Sequence, residues 1–418
     1  MHSDNQVWVV SRRAAAIKAS PIREVSKLLA TRSGVISFAG GMPSNDALHV
    51  EAFRIAADRV FTKYGTAALQ YGVTSGFGPL RDWVAQRHSS PGASVASEQV
   101  QILSGSQQGF DIVGKAFCER NSPLYVETPT YVGALQSFGL VDPEVVPVES
   151  DNDGLIPDCL EAAVRSENKG GGILYLVPTF QNPTGRTMPV ARRQILGQYA
   201  AKAGLPILED APYDDLGFGI PSPPSLLSMA PLNVCHLGSF SKILSPGMRV
   251  GYLISPRSVS RKIEEIKQAA DLHTSILSQM LIFELVTGGD FEDHLKQIRL
   301  LYRQRADAML EALDLHFAGI ATWTRPAGGM FLWLTLDGNI DAEQLVGAAI
   351  DAGVAFVPGA AFFARKPLRN SMRLNFSSSS PEEIHTGVVR LREVVRRALR
   401  DDNSFPQEGA GLDRKRVY

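Results

Sequence analysis

The chain has 418 residues, a formal net charge of −1 and 44% hydrophobic residues, and this length favours a large core and two domains. The near-zero charge excludes a global attraction to nucleic acid or to an acidic membrane surface, so we expect neither partner. The three cysteines, Cys118, Cys159 and Cys235, have no metal-binding spacing, and their odd number suits a reducing compartment.

The N-terminal segment contains a short apolar run at residues 7–10, which is too short for a signal peptide. No apolar stretch approaches the roughly 20 residues of a membrane span, so we expect a cytoplasmic protein. Ser20 and Pro21 then predict a helix start. Arg23 falls in the first turn of that helix, and from the pattern alone a solvated arginine is its simpler interpretation.

The next part of the chain begins with two predicted helices, at residues 50–64 and 79–88. Tyr71 lies between them in the sequence L-Q-Y-G and, taken alone, suggests a packed aromatic side chain. A predicted strand at residues 100–103 then leads into the G-S-Q sequence at residues 105–107 and a further helix. A strand, a loop of small residues and a helix start together direct backbone N–H groups towards an anion.

Further strands are predicted near residues 124–127, 145–148, 173–178 and 206–210, with helices near 158–166 and 189–203. Alternating helices and apolar strands favour a mostly parallel sheet with helices on both faces. Ligands of such sheets bind beyond the carboxyl ends of the strands. Polar residues stand at these predicted ends: Ser106, Tyr131, Asn182, Asp210 and Lys242.

The stretch at residues 238–251, G-S-F-S-K-I-L-S-P-G-M-R-V-G, places Ser239, Ser241, Lys242 and Arg249 between two apolar runs. A desolvated lysine, or one near another cation, loses its proton readily, and its neutral amine condenses with carbonyl groups. Hydroxyl groups and a guanidinium suit a phosphate. Together they indicate pyridoxal 5'-phosphate. For an isolated S-x-S-K sequence, a solvated loop lysine would be an equally good interpretation.

The C-terminal third begins with predicted helices at residues 257–270 and 274–287, separated by His273, for which we favour a structural or interface role. A long charged helix follows. A helix near 341–351 and strands near 354–357 and 372–376 come next, and Arg373 stands in the second of these strands. Ser380 and Glu383 predict a capping box for the last helix.

The lysine stretch resembles the corresponding segment of fold-type I aminotransferases of class I/II. The sequence F-A-G-G-M-P at residues 38–43 resembles the subgroup that acts on 2-aminoadipate, kynurenine and aromatic amino acids. The resemblance covers about residues 20–400, with the major motifs in order. It implies an α/β fold: a large cofactor domain around a mostly parallel sheet covered on both faces, and a smaller α+β domain from both chain ends. The expected boundaries are 1–44 for the N-terminal arm and part of the small domain, 45–290 for the large domain, 291–401 for the small C-terminal domain and 402–418 for a disordered tail.

The resemblance also implies a role for each candidate residue. Lys242 binds the cofactor and moves the substrate's Cα proton, Asp210 holds the ring nitrogen, and Asn182 and Tyr213 hold the phenolic oxygen. Tyr131 stacks on the ring. The implied phosphate ligands are Ser106, Gln107, Ser239, Ser241, Arg249 and, from a neighbouring subunit, Tyr71. The implied substrate-binding residues are Arg373 for the α-carboxylate, with Gly40, Asn182 and, for the side chain, Arg23.

These roles predict an aminotransferase that moves an amino group between an L-amino acid (2-aminoadipate, glutamate, an aromatic or a branched donor) and a 2-oxo acid such as 2-oxoglutarate. The expected assembly is a homodimer with the active site at the subunit interface, and no metal is expected. A lyase or decarboxylase on the same fold is the alternative. A non-catalytic domain of a transcription regulator is less favoured, because only about 20 residues precede the matching part.

Overall fold

The computed structural model describes residues 8–17, 24–25, 27, 32–90, 93–167 and 171–401. The predicted helix start at Ser20 and Pro21, together with Arg23, lies outside the described residues, as does the predicted tail at residues 402–418. Among the helices that are described, none is both long enough and apolar enough to cross a bilayer.

The helices predicted at residues 50–64, 79–88, 158–166, 189–203, 257–270, 274–287 and 341–351 are present to within two residues, and further helices accompany them. The described helices are α1 (Arg12–Ala16), α2 (Val50–Tyr64), α3 (Gly78–His88), α4 (Ser106–Phe117), α5 (Val132–Phe138), α6 (Pro157–Glu167), α7 (Val190–Ala203), α8 (Leu226–Met229), α9 (Arg257–Asp271), α10 (Ile276–Thr287), α11 (Phe291–His316), α12 (Ala342–Asp351) and α13 (Pro381–Asp401). The capping box at the start of α13 is confirmed: the Ser380 amide donates to Glu383 Oε2 at 2.8 Å, and the Glu383 amide donates to Ser380 Oγ at 3.2 Å.

The described strands form a large seven-stranded sheet, a smaller four-stranded sheet and two pairs of short strands. They are β1 (Ile36–Ser37), β2 (Val100–Leu103), β3 (Pro123–Glu127), β4 (Glu144–Val148), β5 (Ser150–Asp151), β6 (Gly154–Leu155), β7 (Ile173–Leu176), β8 (Ile207–Asp210), β9 (Val234–Ser239), β10 (Gly251–Ile254), β11 (Ala321–Trp323), β12 (Phe331–Leu336), β13 (Val354–Ala355), β14 (Val357–Pro358) and β15 (Ser371–Asn375). The large sheet has the order β2-β10-β9-β8-β7-β3-β4. All of its strands except the half-buried edge strand β4 are buried, as expected of a sheet covered on both faces.

The direction of one strand decides what meets at the edge of the large sheet. Strand β10 runs antiparallel to both of its neighbours, whereas the other adjacent pairs are parallel. The carboxyl ends of the other six strands therefore lie at one edge, and β10 begins there. The loops after β2, β8 and β9 and the residues just before β10 are thus brought together at this edge.

The predicted strand at 173–178 is two residues too long. Strand β7 ends at Leu176, because the Val177 amide donates to Glu127 Oε2 at 2.8 Å instead of to a neighbouring strand. Pro178 has no amide hydrogen to continue the ladder. The chain therefore turns here, and the turn leads to Asn182.

The smaller sheet has the order β11-β12-β15-β14, with antiparallel neighbours. Strand β1 pairs in parallel with β13, so residues near the start of the chain lie beside residues that follow α12. Arg373 stands opposite Trp333 of β12 and Val357 of β14, which makes its strand an interior one. The side chain of Arg373 is buried.

Candidate active site

A cavity of about 860 Å³ opens at the carboxyl edge of the large sheet and contains all but two of the predicted site residues. The predicted residues that line it are Gly40, Ser106, Gln107, Tyr131, Asn182, Asp210, Tyr213, Ser239, Ser241, Lys242, Arg249 and Arg373. The structure thus brings together side chains from residues 40 to 373, and from both sheets, around one space.

Lys242 follows strand β9 and projects into this cavity. Its Nζ donates a hydrogen bond of 2.7 Å to the carbonyl oxygen of Gly41. Burial, followed by the charges of Arg373 and Arg249, lowers the pKa of Lys242 to about 8, against the opposing charge of Asp210. A substantial fraction of the amine is therefore neutral near neutral pH, as a nucleophile or a base requires.

Asp210 is the last residue of β8, and its two carboxyl oxygens have different environments. Oδ2 accepts a hydrogen bond from the Tyr175 hydroxyl at 2.9 Å, whereas Oδ1 is buried without a hydrogen-bond partner among the described residues. Burial raises the pKa of Asp210 to about 7, and the bond from Tyr175 opposes this rise. A buried acceptor without a donor is costly, so this oxygen is suited to an N–H group that enters the cavity.

Tyr175 was not predicted from the sequence as a site residue. It lies in β7 opposite Leu208, two residues before Asp210, so Tyr175 and Asp210 are on the same face of adjacent strands. Burial and the charge of Asp210 raise the pKa of Tyr175 well above its usual value, so the hydroxyl remains a donor. The available signal was a phenol within an otherwise apolar strand, since a buried hydroxyl usually has a partner.

Arg373 enters the cavity from the smaller sheet. Its Nη1 donates to Asn182 Oδ1 at 3.0 Å, and its Nη2 donates to the carbonyl oxygen of Ala39 at 2.8 Å. The guanidinium lies over the ring of Phe331, 4.3 Å from its centroid. Burial lowers the pKa of Arg373 to about 10, so the side chain remains a cation at neutral pH.

Two aromatic residues form the walls of the cavity. The Tyr213 hydroxyl accepts a hydrogen bond of 3.4 Å from Asn182 Nδ2, and burial raises the pKa of Tyr213. Tyr131 precedes helix α5, and its ring lies against the start of that helix. A Cβ atom at Gly133 would be 2.5 Å from the Tyr131 ring, so a residue without a side chain is needed there.

Residues 104–107 lead from the end of β2 into the first turn of α4, and we name this segment the anion loop. Gly105 has φ of +81° and precedes α4, whose first amides have no acceptor within the helix. A Cβ atom at Gly105 would be 2.4 Å from Arg249 Nη2, and this guanidinium donates to the Ser104 carbonyl oxygen at 3.3 Å. Helix amides, hydroxyls and a guanidinium around one space are suited to an anion.

Tyr71 does not line the cavity, and Arg23 lies outside the described residues. Tyr71 is 80% exposed, and its ring packs edge-on against that of His273, with centroids 5.6 Å apart. The Gly72 amide lies 3.4 Å from His273 Nε2. His273 therefore supports the segment that contains Tyr71.

The sequence profile of the family "Aminotransferase class I and II" matches residues 33–391, which is most of the chain. The chain belongs to this family. The enzyme is 40% identical over 398 residues to "Aromatic-amino-acid aminotransferase 1" of Thermococcus litoralis, across 93% of this chain and 94% of that protein. It is 41% identical over 390 residues to "2-aminoadipate transaminase" of Thermus thermophilus, across 92% of this chain and 96% of that protein.

A solved structure of the α-aminoadipate aminotransferase of Thermus thermophilus, complexed with N-(5'-phosphopyridoxyl)-L-leucine, resembles the enzyme with a TM-score of 0.87. The two chains are 40% identical, and the match covers 94% of this chain and 98% of that one. The predicted family, the α/β fold with a mostly parallel sheet and the cofactor are thus confirmed: the chain is a pyridoxal-phosphate-dependent aminotransferase.

Proposed function

We propose that this enzyme transfers the amino group of L-amino acids with aromatic, branched or 2-aminoadipate-like side chains to 2-oxo acids, with 2-oxoglutarate as an acceptor. The observation that carries this proposal is the meeting of Lys242, Arg373 and the unbonded Oδ1 of Asp210 around one cavity. The relatives named above, which include an aromatic-amino-acid and a 2-aminoadipate enzyme, support the substrate class.

The residues of the cavity fit the cofactor. Asp210 Oδ1 is suited to the protonated ring nitrogen, Asn182 and Tyr213 to the phenolic oxygen, and the ring of Tyr131 to stacking. The phosphate would be held by the anion loop and its neighbours, namely Ser106, Gln107, Ser239, Ser241 and Arg249. When bound, the cofactor supplies an aldehyde that combines with amines and a ring that withdraws electrons from the substrate's Cα.

Lys242 has two proposed tasks, and both depend on its lowered pKa. Its neutral amine attaches the cofactor, and it accepts the Cα proton of the amino acid and later returns a proton. A base must reach its proton before its pKa matters, and the position of Lys242 in the wall of the cavity meets this condition.

Arg373 is proposed to bind the α-carboxylate of the substrate. The bonds to Asn182 and to the Ala39 carbonyl fix the orientation of its guanidinium, so less freedom is lost on binding. A planar guanidinium can form two parallel hydrogen bonds to a carboxylate. The cavity is also lined by the apolar residues Ile17, Met42, Val132 and Phe331 and by the polar Gln136. This mostly apolar lining suits a large substrate side chain.

Arg23 is proposed to recognise the distal carboxylate of substrates such as 2-aminoadipate and glutamate. The proposal rests on the resemblance of the N-terminal segment, since Arg23 lies outside the described residues. Kinetics of Arg23→Ala on glutamate and on leucine test it. The expected result is a loss of kcat/KM on glutamate only, whereas an equal loss on both donors would remove Arg23 from side-chain recognition.

A homodimer is proposed because Tyr71 and its neighbours expose apolar side chains. Leu69, Tyr71, Val73 and Leu272 are each more than half exposed, and contiguous exposed apolar residues indicate an interface. In the proposed dimer, Tyr71 reaches the phosphate site of the neighbouring subunit. The proposed location is the cytoplasm, and the three cysteines, which are free thiols, suit it.

Hybrid dimers test the role of Tyr71 directly. Lys242→Ala and Tyr71→Ala chains, each of low activity alone at limiting cofactor, are refolded or co-expressed together. If Tyr71 acts across the interface, the Tyr71→Ala subunit receives an intact tyrosine from its partner, and half of the sites in each hybrid become active. No recovery of activity, or a monomeric protein in sedimentation, would contradict the proposal.

The reaction itself is tested by incubating the enzyme with single amino donors and following the absorbance of the cofactor. A transaminase converts the cofactor to its amine form with each donor, and 2-oxoglutarate reverses this change while glutamate appears. Release of carbon dioxide or net formation of ammonia would instead indicate a decarboxylase or a lyase. A panel of 2-aminoadipate, phenylalanine, leucine and alanine ranks the donors by kcat/KM.

A further inference from the structure

Lys267 of helix α9 is a fully buried cation that does not line the cavity. Its Nζ donates to Asp271 Oδ1 at 2.8 Å and to Thr274 Oγ1 at 3.2 Å. A buried ammonium is costly unless it is paired and hydrogen-bonded, and these two contacts meet that condition. Burial lowers the pKa of Lys267, and the bond to Asp271 opposes this effect.

The partners of Lys267 hold the first residue of the anion loop. Asp271 Oδ2 accepts a hydrogen bond of 3.0 Å from the Ser104 hydroxyl. Thr274 Oγ1 lies 3.1 Å from Ser104 Oγ. Gln108 Oε1 accepts the Ser104 amide at 2.8 Å and lies 3.4 Å from Lys267 Nζ.

Every polar group of Ser104 is therefore occupied. Its amide and hydroxyl are held from the side of Lys267, and its carbonyl oxygen accepts from Arg249 on the cavity side. Ser104 precedes Gly105 and the helix start that face the cavity. A shift of Ser104 would thus move the amides of α4 and the guanidinium of Arg249 together.

We propose that Lys267, Asp271 and Thr274 form a positioning cluster that fixes Ser104 and thereby sets the affinity of the anion loop for the phosphate of the cofactor. This inference rests on the proposed function, which assigns the phosphate to that loop. The cluster does not touch the cofactor; it acts through the placement of groups that do. Its signature is a selective effect on ligands that carry a phosphate.

The test compares two lysines of helix α9. Lys267→Met removes the buried charge at similar volume. Lys262→Met removes an exposed lysine that pairs with Glu265 on the surface, and serves as the matched control. Dissociation constants of the full-length apoprotein are measured for pyridoxal 5'-phosphate and for pyridoxal, which lacks the phosphate.

Lys267→Met is expected to raise the dissociation constant for pyridoxal 5'-phosphate by about tenfold, because at least one buried charged hydrogen bond is lost. The constant for pyridoxal should stay within about twofold of the parent value, and Lys262→Met should change neither. An equal loss for both ligands would show a general structural role and overturn the inference, as would no change for either.

A milder variant decides the question if Lys267→Met fails to fold. Ser104→Ala removes one hydroxyl and leaves the Lys267–Asp271 pair intact, and it should weaken phosphate-bearing ligands by about threefold without affecting pyridoxal. Arg249→Gln distinguishes a wrong phosphate site from a wrong role for the cluster. If Arg249→Gln does not weaken pyridoxal 5'-phosphate selectively, the assignment of the phosphate fails; if it does, but Lys267→Met and Ser104→Ala do not, only the cluster fails.

Discussion

Lys242 and Lys267 both have buried amines, but the charges next to these amines differ. Lys267 has a carboxylate partner, Asp271, at 2.8 Å. Lys242 instead donates its hydrogen bond to the neutral carbonyl of Gly41, and two arginines act on its charge. Burial lowers the pKa of both lysines, but a carboxylate opposes the effect at Lys267 through a direct bond, whereas cations reinforce it at Lys242.

The comparison shows that burial alone does not make a lysine reactive. A buried ammonium beside a carboxylate is a structural cation, because loss of its proton would leave the carboxylate unpaired. A buried amine among other cations loses its proton more readily and becomes a nucleophile and base. Removal of the Lys242 amine, which we propose is the reactive one, and replacement of its neighbours test this difference.

Replacement of Lys242 by alanine should have the largest effect. The variant loses the amine that we propose both attaches the cofactor and acts as the base at Cα, so kcat should fall by about 10⁴-fold or more. Borohydride reduction followed by mass spectrometry should detect cofactor bound covalently to the parent chain and not to the variant. Lys296→Ala, an exposed lysine paired with Asp293, is the control and should remain fully active. A Lys242→Ala chain that turned over at more than about 1% of the parent rate would remove Lys242 from the mechanism.

Arg373→Lys keeps the charge near Lys242 but replaces the planar guanidinium by a point charge. The variant cannot form two parallel bonds to a carboxylate while it also contacts Asn182 and Ala39. We expect kcat/KM for amino acids to fall by about 10²-fold, mainly through KM.

The control for this change is Arg369→Lys. Arg369 is an exposed arginine that pairs with Asp341 near the start of the same strand, so its replacement should leave kcat/KM within about twofold. A slow amine substrate without a carboxylate should be affected little by Arg373→Lys. If that amine and the amino acids lost activity equally, Arg373 would not be the carboxylate site.

Residues at the ends of strands were predictable because their position follows from local patterns. Asp210 closes an apolar run, and Lys242 follows one, so the parallel-sheet rule placed both at one edge before any contact was known. The resemblance then supplied the roles. Arg249 lies at the same edge because β10, which it precedes, runs antiparallel to the other strands. The hydrophobic pattern does not report that direction.

The supporting residues could not be predicted in this way. Lys267 lies in a helix rich in charged residues, where a solvated lysine is the natural interpretation. Its partners Asp271 and Thr274 contact Ser104 only through packing between segments that are far apart in sequence. Tyr175 meets Asp210 only because β7 and β8 are neighbours in the sheet. Such contacts depend on the order of strands and helices, which hydrophobic periodicity does not report.

Tyr175→Phe should have an intermediate effect, because it removes the donor that stabilises the carboxylate of Asp210. The pKa of Asp210, already raised by burial, should rise further, and a neutral carboxyl group interacts less with a protonated ring nitrogen. We expect the dissociation constant of the cofactor to increase and kcat to decrease, each by about tenfold.

Tyr302→Phe provides the matched control for Tyr175. Tyr302 is equally buried, and its hydroxyl accepts the Ser44 amide at 3.1 Å, away from Asp210. Its replacement should reduce thermal stability without raising the dissociation constant of the cofactor. If both variants weakened the cofactor equally, the effect would reflect the loss of any buried hydroxyl and not the hydrogen bond to Asp210.

The smallest expected effect is a shift in the pH at which Lys242 is labelled. This pH reports directly how the surroundings of Lys242 differ from those of an exposed lysine. In the apoprotein, acetylation of Lys242 by acetic anhydride should be half-maximal near pH 8, because the lowered pKa makes half of the amine neutral there. The hydrogen bond and charge of Asp293 raise the pKa of Lys296 above its ordinary value of about 10.4, so its labelling should still increase above pH 10. In Arg373→Gln the midpoint for Lys242 should move to higher pH, since a neighbouring positive charge has been removed. Parallel titration of both lysines, or an unchanged midpoint in that variant, would show that the arginines do not activate Lys242.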